Sequence, residues 1–186
     1  MGGVVYTRWG RTTCPSTKGT ELLYHGITAG SYHRHTGSGA NYLCLPHDPE
    51  YWNYLTGWHA QSLIYGTEYE LNSGAPLTSS VSNQDNVPCA VCFASSRAAV
   101  VMIPAKITCP SNWTTEYIGY LMSAYHTNNH YRTMYECVDK NAESLPYGGG
   151  NQNGAEFWHV EVDCGFRIPC PPYVEEKELS CIVCTK

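Results

Sequence analysis

The cysteines of this chain follow a spacing that occurs twice. A first pattern, C-x29-C-x44-C-x2-C, is followed by a near copy, C-x27-C-x43-C-x2-C, formed by Cys14, Cys44, Cys89 and Cys92 and then by Cys109, Cys137, Cys181 and Cys184. Tyr32-His33 and Tyr125-His126 also lie at equal distances before Cys44 and Cys137. Matching residues that occur in the same order in both halves indicate a duplicated unit of about ninety residues. We therefore predict two homologous subdomains, residues 1–96 and 97–186, that together form one compact unit.

Composition favours a loop-rich β protein held together by disulfides. The 186 residues include 10 cysteines, 17 glycines, 11 prolines and 15 tyrosines, and only 15% are charged. An even number of cysteines in such a chain is typical of secreted proteins. Short runs rich in Tyr, Val, Ile and Trp predict strands at residues 4–8, 21–26, 63–71, 98–103, 116–123 and 156–163. No segment carries an amphipathic helical period, so the predicted fold class is all-β.

Two stretches between the cysteines have a composition that predicts their local structure. The join between the copies, residues 97–104, is apolar and β-branched rather than rich in Gly and Ser. This composition predicts a buried strand that passes between packed halves instead of a free linker. Residues 148–154 are rich in Gly and Asn and predict a loop that has no counterpart in the first copy.

The charge balance excludes some classes of partner. The chain has 11 basic and 16 acidic residues, a net charge of −5, with no basic run, so we expect no nucleic-acid partner. No apolar stretch approaches the length of a membrane span. Residues 1–4 lack the charged and apolar regions of a signal peptide, so we expect a secreted form of this chain to be a mature fragment.

The C-x2-C pairs suit a zinc site, a redox motif or structural disulfides. We favour disulfides, because the pairs lie far apart within apolar sequence and each copy offers two further cysteines as partners. No βαβ pattern surrounds either pair, which argues against thioredoxin-like chemistry. Spacing alone leaves several pairings open within each copy. The remaining cysteines, Cys164 and Cys170, predict a local loop closure, and we predict no cofactor.

Motifs that carry a family resemblance are spread over both copies. They are T-T-C-P at residues 12–15, G-T-E-L-L-Y-H-G at residues 19–26, V-P-C-A-V-C at residues 87–92, C-P-S-N-W-T at residues 109–114 and Y-I-G-Y at residues 117–120. Together they resemble the noncollagenous C-terminal domain of type IV collagen. The resemblance is closer to the equivalent domain of sponge and other invertebrate short-chain, spongin-like collagens.

The resemblance implies a fold, a disulfide pairing and a role. The fold would be two β-rich subdomains that exchange strands and are related by a pseudo-twofold axis. The implied disulfides are Cys14–Cys92, Cys44–Cys89, Cys109–Cys184, Cys137–Cys181 and Cys164–Cys170. The implied role is the trimerisation of collagen chains and the assembly of their network.

Histidines at partly matched places form the first candidate site outside the cysteines. They are His33 and His35 in the first copy and His126 and His130 in the second. Histidine is the commonest metal ligand, and two histidines at positions i and i+2 share one face of a strand. However, only His33 and His126 match by position, and no carboxylate accompanies them at a fixed spacing. We prefer surface histidines that bond to backbone or water, with copper or zinc binding as the alternative.

The densest mixture of aromatic and polar residues lies at residues 45–59. Its aromatic rings could stack on sugars while neighbouring polar groups bond to hydroxyls. The candidate ligand-binding residues are Asp48, Tyr51, Trp52, Asn53, Trp58 and His59. Subunit interfaces are also enriched in Tyr and Trp, and we prefer local core or an interface here.

Enzymatic chemistry has little support in the sequence. The chain has no G-x-S-x-G, H-E-x-x-H, P-loop or dinucleotide fingerprint, and we predict that it is not an enzyme. The pairs Asp48 and Glu50, or Glu68 and Glu70, have the spacing of an acid and a base, but such pairs are typical of exposed strand edges. Asn112-Trp113-Thr114 predicts an N-glycosylation acceptor.

We predict a secreted, extracellular-matrix assembly domain that acts by self-association. Its expected partners are copies of itself, as a trimer or hexamer, or other matrix chains. The alternative is a freestanding secreted binding protein, such as a lectin or toxin, whose aromatic and histidine-rich loops bind a glycan. The chain contains no Gly-X-Y repeat, which favours this alternative if Met1 is the native start.

Overall fold

The computed structural model describes residues 2–59, 61–78, 80–127 and 129–186. Met1 lies outside these ranges. The described residues contain ten strands and no helix, which confirms the all-β prediction. No helix in them is long and apolar enough to cross a membrane. The strands are β1 (Gly3–Trp9), β2 (Thr20–Gly30), β3 (Leu43–Pro46), β4 (Tyr65–Glu70), β5 (Pro88–Ser95), β6 (Val100–Pro104), β7 (Thr114–Ser123), β8 (Glu136–Asp139), β9 (Ala155–His159) and β10 (Ser180–Thr185).

Four of these strands, β3, β5, β8 and β10, are absent from the sequence prediction. Each contains one or two of the repeated cysteines. Strands β5 and β10 are buried along most of their length and read as short continuous apolar runs. Strands of this kind lack the alternation that makes a half-buried strand visible in a sequence. Strands β3 and β8, at four residues each, are too short to show a period.

The strands form a single sheet in which each half pairs in the same way. Its order is β6-β10-β7-β8-β1-β5-β2-β4-β9, with β3 beside β2 and with β9 also beside β7. Thus β1-β5-β2-β3 in the first half corresponds to β6-β10-β7-β8 in the second. The halves meet where β4 runs parallel to β9 and where β1 touches β8 at Trp9 and Val138. The pairings repeat, and the pseudo-twofold axis itself stays a prediction.

Backbone contacts beside the strands repeat as well. Just after β1, the amide of Gly10 donates to the carbonyl of Pro88 at 2.9 Å. Just after β6, the amide of Ala105 donates to the carbonyl of Ser180 at 2.7 Å. The two donors lie four residues before the matched cysteines Cys14 and Cys109. The two acceptors lie one residue before the matched cysteines Cys89 and Cys181.

Matched glycines allow a close approach of backbone in each half. A Cβ at Gly26 would overlap the carbonyl of Leu45, and a Cβ at Gly119 would overlap the carbonyl of Val138. These positions lie where β2 pairs with β3 and where β7 pairs with β8. Only glycine fits there without moving the neighbouring strand.

All ten cysteines form disulfides. The bonds are Cys14–Cys92, Cys44–Cys89, Cys109–Cys184, Cys137–Cys181 and Cys164–Cys170. These are the pairings that the resemblance implies. Cys89 and Cys92 lie three residues apart on β5, and side chains alternate along a strand. Cys89 therefore packs in one core cluster, with Trp9, and Cys92 packs in the other, with Tyr6.

The join between the copies is a strand, as predicted, but the prediction that it is buried is wrong. Strand β6 pairs only with β10 and forms an edge of the sheet. Val100 and Val101 are 39% and 37% exposed. The sequence contained apolar β-branched residues, which fit a covered strand and an edge strand equally well.

Candidate functional site: a histidine cavity and two unequal segments

A cavity of about 760 Å³ lies between the two halves at the ends of β2 and β7. It is lined by residues from 31–40, which follow β2, and from 123–135, which include the end of β7. The four candidate histidines, His33, His35, His126 and His130, all line it. The matched strands therefore bring the partly matched histidine segments to one place. We call this space the histidine cavity.

Two of the histidines share a buried carboxylate. The Nε2 atom of His130 lies 3.0 Å from Oε2 of Glu156, and Nδ1 of His33 lies 3.6 Å from Oε1 of the same side chain. The rings of His33 and His130 lie 4.8 Å apart, centre to centre. The side chains of His33 and Glu156 are 4% and 2% exposed, and that of His130 is 15% exposed. These three residues, the His-His-Glu cluster, offer ligand atoms within 4.8 Å of one another.

Other hydrogen bonds hold each member of the cluster in place. Nδ1 of His33 lies 2.8 Å from the carbonyl of Asn153, to which it donates. Nδ1 of His130 lies 3.1 Å from the hydroxyl of Thr127. The indole N–H of Trp158 donates to Oε2 of Glu156 at 2.8 Å. Each member of the cluster is therefore held by a hydrogen bond to a group outside it.

Glutamates from β4 lie beside the cluster. Glu68 is opposite Glu156 in the parallel pairing of β4 with β9, and both side chains are buried. Burial raises the pKa of Glu68, although the backbone amides of Gln152 and Gly154 donate to its carboxylate. Burial, with the negative charges of Glu156 and Glu68, raises the pKa of Glu70 to about 7. The prediction that Glu68 and Glu70 lie on an exposed strand edge is therefore wrong.

The four candidate histidines have different neighbours in the structure. His33 and His130 come together, whereas His35 packs against Tyr32 and His126 packs against Tyr125. Sequence reasoning matched His33 with His126 and missed Glu156. The only signal for Glu156 was its place at the start of a predicted strand. Its approach to His33 depends on the pairing of β4 with β9, which no local pattern reveals.

The candidate ligand-binding residues lie elsewhere, on the surface. Every residue from 47 to 59, which we call the aromatic segment, is exposed. Trp52 and Trp58 are 94% and 77% exposed. The candidate residues Asp48, Tyr51, Trp52, Asn53, Trp58 and His59 line neither the histidine cavity nor the cavity beside it. They form a projecting surface rather than a pocket.

The segment at the matched place in the second half has very different surroundings. Residues 140–148, the docked segment, begin three residues after Cys137, as the aromatic segment begins three residues after Cys44. Ala142 is 1% exposed and belongs to the core cluster that also contains Trp9 and Tyr69 of the first half. The amide of Glu143 donates to the carbonyl of Gly10 at 2.7 Å, and the hydroxyl of Tyr69 donates to the carbonyl of Glu143 at 2.9 Å.

An ion pair completes the docking. The carboxylate of Glu143 lies 3.0 Å from the guanidinium of Arg11 and accepts from the amide and the hydroxyl of Thr12 at 3.0 Å and 2.8 Å. Arg11 and Thr12 precede Cys14 by three and two residues. At the matched places before Cys109, Lys106 and Ile107 are exposed, Ile107 by 59%.

The predicted glycosylation site is accessible. Asn112 is exposed in a turn that is closed by a hydrogen bond from the amide of Trp113 to the carbonyl of Pro110. Its modification stays a prediction. The five disulfides are typical of extracellular or secreted proteins. A comparison of the chain with models of known protein families gives no match.

Proposed function

We propose that this protein assembles extracellular matrix by self-association, and that the aromatic segment of one copy docks on the second half of another. The observation that carries the proposal is the contrast between the two matched segments. The docked segment covers the first half of its own chain, whereas the aromatic segment projects into solvent. Exposed aromatic clusters of this kind mark interaction surfaces.

Matched positions supply a partner for the aromatic segment. Glu143 lies six residues after Cys137, and Glu50 lies six residues after Cys44. Glu143 pairs with Arg11, and the residue matched to Arg11 is Lys106. A contact between Glu50 of one copy and Lys106 of the next would therefore repeat, between chains, the ion pair that exists within the chain.

The apolar part of the proposed interface follows the same correspondence. Ile107 is matched to Thr12, which the docked segment covers, and it is more than half exposed in the single chain. The tryptophans of the aromatic segment would bury it. Such a contact joins two different surfaces, so it is heterologous and closes into a ring when the rotation allows. The trimer implied by the collagen resemblance is a ring of this kind.

Light scattering of the non-reduced protein tests the proposal through charge reversal. We expect an oligomer for the unaltered chain and a smaller species for Glu50→Lys or Lys106→Glu alone, because like charges facing each other across an interface cost several kcal/mol. The double variant exchanges the charges and should recover the oligomer. Glu175→Lys, at an exposed position outside the segment, is the control and should not change the mass. A monomeric unaltered chain would rule out self-association.

Glycan binding is a second candidate, favoured by the exposure of Trp52 and Trp58. Indole rings open to solvent on both sides stack on sugar rings. A glycan array should then give signals that Trp52→Ser and Trp58→Ser remove. Because assembly and glycan binding would use the same segment, the charge exchange at Glu50 and Lys106 separates them: only assembly needs Lys106.

A further inference from the structure

We propose that His33, His130 and Glu156 bind a divalent transition-metal cation, and that Zn²⁺ is the ion of best fit. The proposal concerns the histidine cavity and is independent of self-association through the aromatic segment. The three side chains place one ligand atom each within 4.8 Å of one another. Two imidazole nitrogens and one carboxylate are a donor set that Zn²⁺ uses, with a fourth position left for water or another ligand.

The hydrogen bonds around the cluster suit neutral, metal-binding histidines. The carbonyl of Asn153 can only accept, so Nδ1 of His33 carries the proton and Nε2 keeps its lone pair. The hydroxyl of Thr127 can accept from Nδ1 of His130, which leaves Nε2 free to bind an ion. Histidines that bind metals almost always donate their other N–H to a fixed acceptor of this kind.

Negative charge beside the cluster favours a cation. Glu156 and Glu68 face each other across β4 and β9, and both are almost fully buried. Two neighbouring buried carboxylates repel each other, and a divalent cation would offset that repulsion. An ion can reach the site because the partly exposed His130 lines the cavity.

Binding would join the two halves. Nε2 of His130 and Oε2 of Glu156 lie 3.0 Å apart, so one ion can contact both atoms. His33 comes from the first copy, whereas His130 and Glu156 come from the second. The bound ion would therefore link the two copies across the cavity.

Calorimetric titration of the chelator-treated full chain with ZnCl₂ tests the site. We expect equimolar binding. His130→Ala should weaken binding by about 100-fold or more, and Thr127→Val by about 10-fold. His126→Ala is the control, since His126 is exposed in the same cavity outside the cluster, and it should bind as the unaltered chain does.

A second variant and a second ion keep the test decisive if His130→Ala does not fold. Glu156→Gln keeps a side-chain oxygen for the indole N–H of Trp158 but removes the charge, and it should also weaken Zn²⁺ binding. Co²⁺ should give visible d–d bands in the unaltered chain that excess Zn²⁺ removes. The proposal is overturned if the unaltered chain binds neither ion, or if the folded cluster variants bind as tightly as His126→Ala.

Discussion

The aromatic segment and the docked segment hold the same place in the repeat, yet one is exposed throughout and the other contributes Ala142 to a core. Both follow a short strand with a disulfide that ties it to a strand of its own half. The difference therefore does not arise from the cysteine framework. It arises from what lies beside each segment: residues 140–148 contact the first half, whereas residues 47–59 are exposed among the residues that the structure describes. Of the two matched contacts, one is therefore made within the chain and the other is open.

The largest expected effect comes from the framework that the two segments share. Replacing Cys44 and Cys89 with Ala, or Cys137 and Cys181 with Ala, opens loops of 45 and 44 residues. Each pair should lower the free energy of unfolding by about 4 kcal/mol, since the loop entropy released in the unfolded chain is nearly equal. Urea unfolding of both variants measures this. If the two losses in the free energy of unfolding differ by more than about 2 kcal/mol, the two disulfides do not contribute equally to stability.

Removal of the matched glutamates should separate the two segments. Glu143→Ala loses the ion pair with Arg11 and two hydrogen bonds from Thr12. Because this site is partly exposed, we expect a loss of about 1–2 kcal/mol in the free energy of unfolding. Glu50→Ala, measured by urea unfolding at a concentration where the chain is monomeric, should change nothing. An equal loss for both would mean that Glu50 is already bound within its own chain.

The buried glutamates beside the His-His-Glu cluster should give the fold a dependence on pH that the aromatic segment does not give. Between the ordinary pKa of 4.5 and the raised pKa of about 7, folded Glu70 keeps a proton that the unfolded chain has released. Stability therefore falls as pH rises through this window. Glu70→Gln should remove part of that fall. At pH 8, with a chelator present, the free energy of unfolding of this variant should exceed that of the unaltered chain by about 1 kcal/mol. At pH 4 the advantage should vanish.

Urea unfolding at several pH values makes the comparison. Glu50→Gln is the control, because Glu50 is exposed in the aromatic segment. It should leave the pH profile unchanged. If Glu70→Gln has the same profile as the unaltered chain, burial beside Glu156 and Glu68 is not what controls this carboxyl group.

The smallest effect on stability should come from the two exposed tryptophans of the aromatic segment. Trp52→Ser with Trp58→Ser should change the stability of the monomeric chain by less than about 0.5 kcal/mol, because neither ring is packed in the fold. Thermal unfolding at low protein concentration measures this. A clear loss of stability would place the tryptophans in the fold of the single chain and weaken their assignment to an interface.

Much of the fold could be predicted because it depends on local sequence patterns and on the number and spacing of the cysteines. The β class followed from composition and from alternating runs such as residues 67–71, which lie in and beside β4. The duplicated cysteine spacing predicted repeated units, and the strand pairings repeat in the same order. The disulfide pairing required the collagen resemblance, since spacing within each copy fits several pairings equally.

The sites were harder to predict, because they depend on contacts between distant parts of the chain. Glu156 reaches His33 only through the parallel pairing of β4 with β9, at a separation of more than a hundred residues. His33 matches His126 by position, but the His-His-Glu cluster contains His130 instead. Likewise, nothing in the composition of residues 45–59 distinguishes an exposed surface from local core.

Hydrogen–deuterium exchange at rising protein concentration tests most directly whether the open contact is satisfied by a second copy. Residues 140–148 serve as the internal reference and should be protected at every concentration, since the amides of Glu143 and Leu145 donate to the first half. Residues 47–59 should exchange freely in the dilute chain and become protected as the oligomer forms. If they exchange freely in an oligomer whose mass is established by light scattering, assembly does not use the aromatic segment and the account is contradicted.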